Sequence, residues 1–85
     1  MTEWNLIILK AAESYLKRLP LPDQERIVRG LKLLQADRTM ANIKPLKGRP
    51  EWRLRVGKYR VLFIEDRENL TYVVTVIGPR GDVYK

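Results

Sequence analysis

Three arginines lie close together in one short segment of the chain, WRLRVGKYRVLF at residues 52–63. Alternating apolar residues on both sides of a Gly-Lys pair predict a β-hairpin with a two-residue turn. In that register Arg55 faces Arg60 and Arg53 faces Leu62, so the three guanidinium groups share one sheet face. Like charges that face each other destabilise a sheet, whereas arginine binds phosphate through paired hydrogen bonds. The hairpin therefore indicates either a phosphate site or a solvated polar face.

The basic residues extend beyond this hairpin. The net charge is +7, and between positions 44 and 60 seven basic residues accompany a single acid, so six of the net positive charges lie there. This distribution favours a polyanionic partner such as nucleic acid. Further candidates for contacts with nucleic acid are Lys44, Lys47, Arg49, Lys58 and the aromatic Trp52, which begins the basic strand.

The last eight residues, GPRGDVYK, contain two more candidates. Arg80 lies between two glycines, where it is either a charged turn residue or a side chain presented to a ligand. Tyr84 either covers the end of the core, stacks on a base, or carries a proton if nearby arginines lower its pKa.

Composition excludes several kinds of chemistry. The chain has no histidine and no cysteine, which excludes histidine acid–base catalysis, a thiolate nucleophile and a disulfide framework. Because these two residues are the usual zinc ligands, we do not expect a zinc site. We predict no metal or other cofactor. No apolar run approaches the ~20 residues of a membrane span, and the N-terminus lacks the features of a signal peptide. We therefore expect a cytoplasmic protein.

The elements that must position these residues predict one small α+β domain over residues 1–85. We expect an N-terminal strand apolar on both faces (4–9), a helix ended by Pro20 (10–20), a second helix (22–36) and a basic loop (37–50). Strands at 51–56, 59–65 and 70–77 then form an antiparallel meander, with a short final piece at 82–85. The helices are expected on one face of the sheet, against the apolar side of the first hairpin. That side consists of Leu54, Val56, Tyr59, Val61 and Phe63.

The order and spacing of several short motifs resemble toxins of the RelE/ParE superfamily. The motifs are Leu46-Lys-Gly48, the hairpin segment WRLRVGKYRVLF, Val76-Ile-Gly-Pro-Arg80 and Asp82-Val-Tyr84. The predicted order of strand, helix, helix and meander resembles the whole RelE-like fold. The resemblance implies the toxin of a type II toxin–antitoxin pair.

The resemblance also implies an activity. RelE-type members cut messenger RNA in the ribosomal A site without metal, by attack of a 2′-hydroxyl on the adjacent phosphorus. Arg53, Arg55, Arg60, Arg80 and Tyr84 fall on the family's functional positions, which favours the RelE-like branch. Tyr84 is then the candidate base, Arg60 and Arg80 stabilise the developing charge, and Arg53 and Arg55 hold phosphates. Because arginine keeps its proton at neutral pH, its role is electrostatic.

Two other functions remain open at this point. ParE-type members share the fold but inhibit DNA gyrase, and a non-catalytic RNA- or partner-binding module is a third possibility. The implied protein partner is an antitoxin, for which we expect an acidic segment that folds over the basic side of the sheet. If the second hairpin has even register, the apolar residues beside the arginines are Leu62, Ile64, Val73 and Ile77.

Overall fold

A computed structural model of the chain describes residues 3–79. Within that range the chain forms an α+β fold with two helices packed on one sheet, as the sequence predicted, and the sheet has five strands. The elements are β1 (Asn5–Ile8), α1 (Lys10–Lys17), α2 (Leu21–Ala36), β2 (Ile43–Pro45), β3 (Trp52–Val56), β4 (Tyr59–Asp66) and β5 (Thr71–Pro79).

The sheet has the order β1-β5-β4-β3-β2. Strands β2 to β5 pair antiparallel with their neighbours, and β1 pairs parallel with β5 at the edge. The prediction of a loop at 37–50 is wrong in part, because this segment contains the short edge strand β2. The strand has only three residues and includes Pro45, so no alternating pattern indicated it. Strand β1 is not covered on both faces either, since it lies at an edge and leaves Ile7 51% exposed.

A tight connection joins the two helices. Helix α1 ends at Lys17, before the predicted limit at Pro20, and α2 starts at Leu21. The Gln24 side-chain amide donates hydrogen bonds to the backbone carbonyls of Leu19 (2.7 Å) and Lys17 (3.3 Å). These bonds satisfy carbonyls that the end of a helix would otherwise leave without partners.

The core lies between the helices and one face of the sheet. Phe63 is 0% exposed and contacts the Tyr72 ring edge-on, with 5.5 Å between ring centroids, while Trp4 stacks on Tyr72 at 4.6 Å. Full burial of each large apolar side chain stabilises the fold by about 1.5–3 kcal/mol. The side chains with at most 2% exposure in this core are Ala12, Ile27, Leu31, Leu34, Leu54, Val61, Phe63, Tyr72 and Val74.

One irregularity changes the register between β4 and β5. Leu62 pairs with Val76, but the next residue, Phe63, pairs with Val74. Thr75 is therefore an extra residue in β5, as in a β-bulge. Side chains on the two sides of the bulge no longer follow one uninterrupted alternation.

Neither helix within residues 3–79 is long and apolar enough to cross a membrane.

Candidate nucleic-acid interface

The predicted hairpin brings the three arginines together as expected. Arg55 lies opposite Arg60, and Arg53 lies opposite Leu62. Lys44 of β2 pairs with Arg53 from the other side, so it joins the same face. We call Lys44, Arg53, Arg55 and Arg60 the arginine face.

The hairpin turn explains why this register is fixed. Gly57 and Lys58 form the two-residue turn, and Gly57 has a φ of +55°. A type II′ hairpin turn requires a positive φ at its first central residue, and glycine adopts this conformation without strain. The turn closes the Val56–Tyr59 pair, so Arg55 and Arg60 occupy the next pair of the ladder.

Exposure differs among the arginines. Arg55 is exposed, Arg53 is half-buried and Arg60 is only 7% exposed. The Nε atom of Arg53 is buried and has no hydrogen-bond partner within the described part of the chain. A buried donor without a partner is unfavourable, so a ligand oxygen at Arg53 would satisfy it.

Two adjacent rows across the sheet concentrate positive charge. One row runs Lys44, Arg53, Leu62 and Val76; the other contains Arg55, Arg60 and Gly78. These two rows hold four cations and no acid. The arrangement can bind closely spaced anionic groups, such as consecutive phosphates, through hydrogen bonds from fixed guanidinium groups.

Apolar side chains continue the same face toward β1. Ile64 pairs with Val73, and Val73 pairs with Ile7. The prediction that Ile77 lies on this face is wrong, because Ile77 pairs with Val61 in the core and is 4% exposed. The bulge at Thr75 places Val76 on the arginine side instead.

Trp52 does not lie on the arginine face. It pairs with Phe63 and packs against the core, with the Arg38 guanidinium 5.0 Å from the centroid of its ring. Strict alternation along β3 already puts Trp52 on the same side as Leu54, so the sequence contained the signal for this placement.

Three of the flanking cations are not on the strands that form the arginine face. Lys58 in the turn has its Nζ 4.0 Å from Asp23 Oδ2, on the helix side. Arg49 forms an ion pair with Glu51, and Lys47 is exposed in the loop between β2 and β3. Arg80 and Tyr84 lie outside the described residues.

A polar contact that no sequence pattern indicated joins the hairpin to α2. The Tyr59 hydroxyl donates a hydrogen bond of 2.7 Å to Asp23 Oδ2. This bond, together with burial and the negative charge of Asp23, raises the pKa of Tyr59 to about 12. The two residues are 36 positions apart, and although Tyr59 belongs to the hairpin motif, nothing in that motif indicated a partner on α2.

A second polar cluster lies at the opposite end of the sheet. Arg38 Nη2 is 2.7 Å from Glu65 Oε2, and Arg67 Nη2 is 3.5 Å from Glu65 Oε1. Burial, followed by the charge of Glu65, raises the pKa of the nearby Tyr72. These residues lie on the helix side, so they do not contribute to the arginine face. Within residues 3–79, no group of three or more acidic side chains is placed to hold a metal ion.

Several solved structures with the same fold come from toxin–antitoxin systems. The RelBE2 toxin–antitoxin complex from Mycobacterium tuberculosis matches with a TM-score of 0.81 and 23% identity, covering 93% of this chain and 100% of that one. The archaeal RelE–RelB complex from Pyrococcus horikoshii gives 0.81 and 21%, with 95% and 99% covered. The isolated RelE toxin of E. coli gives 0.77 and 20%, with 95% and 90% covered. At these identities the matches establish the fold.

Sequence comparison identifies the family. No curated protein is significantly similar to this sequence. The sequence model of the family described as "ParE toxin of type II toxin-antitoxin system, parDE" matches residues 6–84, nearly the whole chain. The chain therefore belongs to this toxin family, within the RelE/ParE superfamily of type II toxin–antitoxin systems.

Proposed function

We propose that this toxin is a ribosome-dependent endoribonuclease that cleaves messenger RNA by attack of a ribose 2′-hydroxyl on the adjacent phosphorus. One observation carries the proposal: Arg53, Arg55 and Arg60 lie on one face of the hairpin, next to Lys44 and without an acid in their two rows. An RNA backbone presents the phosphates that such a face binds, and a cytoplasmic location follows from the proposed target.

The proposed chemistry assigns electrostatic roles to the arginines. In-line attack places extra negative charge on the phosphorane oxygens and on the leaving 5′-oxygen. Arg60, held at 7% exposure, stabilises the phosphorane together with Arg80, and a poorly solvated cation acts more strongly there than an exposed one. Arg53 and Arg55 hold the scissile and flanking phosphates.

The proton transfers and the longer RNA contacts complete the proposal. As the phenolate, Tyr84 accepts the proton of the 2′-hydroxyl, since the chain has no histidine to do so. The new bond from the 2′-oxygen to phosphorus replaces the bond from phosphorus to the 5′-oxygen, which takes up the proton from Tyr84, so the products are a 2′,3′-cyclic phosphate and a 5′-hydroxyl. The remaining cations guide the RNA backbone through charge alone and contribute to salt-dependent binding. These are Lys44, Lys47, Arg49 and Lys58.

Primer extension on messenger RNA from an in vitro translation reaction tests this function. The wild-type toxin should produce cuts at defined codon positions only when ribosomes are translating. The variant Arg60→Ala/Arg80→Ala should not produce them. Cuts that are absent with the wild type, or unchanged in the variant, would reject the proposal.

The family description favours a second candidate, inhibition of DNA gyrase. The matching family is named for ParE toxins, which the sequence resemblance associates with gyrase. A supercoiling assay with purified gyrase separates the two functions. Inhibition of supercoiling with intact messenger RNA would select gyrase, whereas RNA binding without cleavage or gyrase inhibition would indicate a non-catalytic module.

The protein partner is a cognate antitoxin, as expected for a toxin of this class. We propose that an acidic antitoxin segment covers the arginine face and the apolar row Ile64, Val73 and Ile7 beside it. Acidic side chains would replace RNA phosphates, while apolar ones would bury the neighbouring row. Co-purification of toxin and antitoxin should survive high salt if the apolar row contributes; failure at both low and high salt would contradict this interface.

A further inference from the structure

We propose that the hydrogen bond between Tyr59 and Asp23 is a positioning device that holds the arginine-bearing hairpin tip against the first turn of α2. Tyr59 and Asp23 are positioning residues, because neither lies on the arginine face. The inference rests on the proposed endoribonuclease function and names residues that the function requires in addition to the arginines.

The geometry connects Tyr59 directly to the arginines. Tyr59 is the first residue after the turn and pairs with Val56, while Arg60 follows it in β4. Successive side chains in a strand point to opposite faces, so Tyr59 projects toward the helices and Arg60 toward the arginine face. Any movement of the Tyr59 backbone therefore displaces Arg60 and the paired Arg55.

The acceptor belongs to a firmly packed helix. Asp23 lies in the first turn of α2, and its side chain is 14% exposed. Its Oδ1 is 3.8 Å from Arg26 Nη1 and its Oδ2 is 4.0 Å from Lys58 Nζ. One turn further along, α2 is fixed in the core by the fully buried Ile27. The carboxyl group thus offers the hairpin an anchor that does not move independently of the core.

The hairpin tip needs such an anchor. The ends of a β-ladder open locally more easily than its centre, and the Arg55–Arg60 pair is only one position from the turn. Catalysis by fixed charges depends on their placement, since a displacement of about 1 Å can reduce a rate by about 100-fold. The bond across 36 residues restrains the end of the hairpin at the point where the arginines are placed.

The variant Tyr59→Phe removes the bond, and Tyr72→Phe is the matched control. Both tyrosines are nearly fully buried on the same side of the sheet, but Tyr72 pairs with Glu65 at the opposite end. Two measurements apply to each variant: amide hydrogen exchange at residues 55–60, and the single-turnover rate of messenger RNA cleavage on programmed ribosomes, well below the unfolding temperature.

In Tyr59→Phe we expect exchange at residues 55–60 to accelerate about tenfold, the effect of losing one hydrogen bond to a charged acceptor. The cleavage rate should fall about tenfold, with both values near wild type in Tyr72→Phe. Asp23→Ala should reproduce the loss, and Asp23→Asn should restore most of the rate because its amide oxygen still accepts the bond.

Equal effects of Tyr59→Phe and Tyr72→Phe on cleavage, or unchanged exchange at the hairpin in Tyr59→Phe, would overturn the positioning role. Failure of the proposed function gives a different result: the wild type and Arg55→Ala would then both be inactive on ribosomes, whatever the behaviour of the tyrosine variants.

Discussion

Helix α2 packs closely against the first hairpin at Gly30, where one added methyl group should change the stability of the fold. A Cβ atom at this position would lie 2.9 Å from Val56 Cγ2 and 3.7 Å from Leu54 Cδ2. The first distance is shorter than carbon atoms tolerate, and the valine methyl has little freedom to move away. Gly30 thus allows the helix to contact the strand that carries Arg55.

Two opposing effects determine the result of Gly30→Ala. Alanine is favoured over glycine within a helix by about 1 kcal/mol. Overpacking a filled contact costs about 1–3 kcal/mol. With the middle of that range, the substitution should lower the free energy of unfolding by about 1 kcal/mol. In a Val56→Ala background the clash disappears, so the same substitution should raise it by about 1 kcal/mol.

Urea unfolding of the four proteins in this double-mutant cycle measures the reversal. With a slope of about 1 kcal/mol per molar urea, Gly30→Ala should lower the midpoint by about 1 M in the wild-type background. It should raise the midpoint by a similar amount beside Val56→Ala. A stabilising effect in both backgrounds would refute the reasoning, because it would show that the helix and strand are not in close contact at this point.

Three further predictions concern the core, the hydrogen bond between Tyr59 and Asp23, and the arginine face. Phe63→Ala should lower the free energy of unfolding by about 3–5 kcal/mol in thermal or urea unfolding, because the ring is fully buried; a loss below about 1 kcal/mol would contradict that packing. The pKa of Tyr59 is raised to about 12 from an ordinary value near 10, so its contribution to stability should be complete below pH 10 and decline as the pH rises to 12. In urea unfolding between pH 10 and pH 12, the free energy of unfolding should decline less in Tyr59→Phe than in the wild type. Identical pH profiles for the two proteins would contradict the raised pKa. Arg53→Ala should reduce the slope of log affinity for single-stranded RNA against log salt by about 0.7, and the control Arg29→Ala, an exposed cation on α2, should leave the slope unchanged.

Local sequence patterns were sufficient to predict the first hairpin. The Gly57-Lys58 turn and the alternation on both sides of it determine that Arg55 pairs with Arg60, and the structure has this register. The same alternation places Trp52 on the core side, although its position at the start of the basic strand suggested a role in RNA binding. For Trp52, the alternation of side chains along the strand was a better guide to its location than its closeness in sequence to the arginines.

Features that depend on distant parts of the chain could not be predicted. The bulge at Thr75 exchanges the faces of Val76 and Ile77, and no glycine or other signal in the sequence indicates it. The bond between Asp23 and Tyr59 depends on how α2 packs across the sheet. The burial of Arg60 could not be predicted either, because the residue pattern of β4 does not show which parts of the chain cover this side chain.

The single-turnover rate of messenger RNA cleavage on programmed ribosomes tests the central claim most directly, when Arg55→Ala is compared with Arg29→Ala. Both variants remove one exposed arginine and change the net charge equally, but only Arg55 lies on the arginine face. If that face binds the RNA phosphates during cleavage, Arg55→Ala should lose about 100-fold in rate and Arg29→Ala should match the wild type. Equal rates for the two variants would contradict the claim.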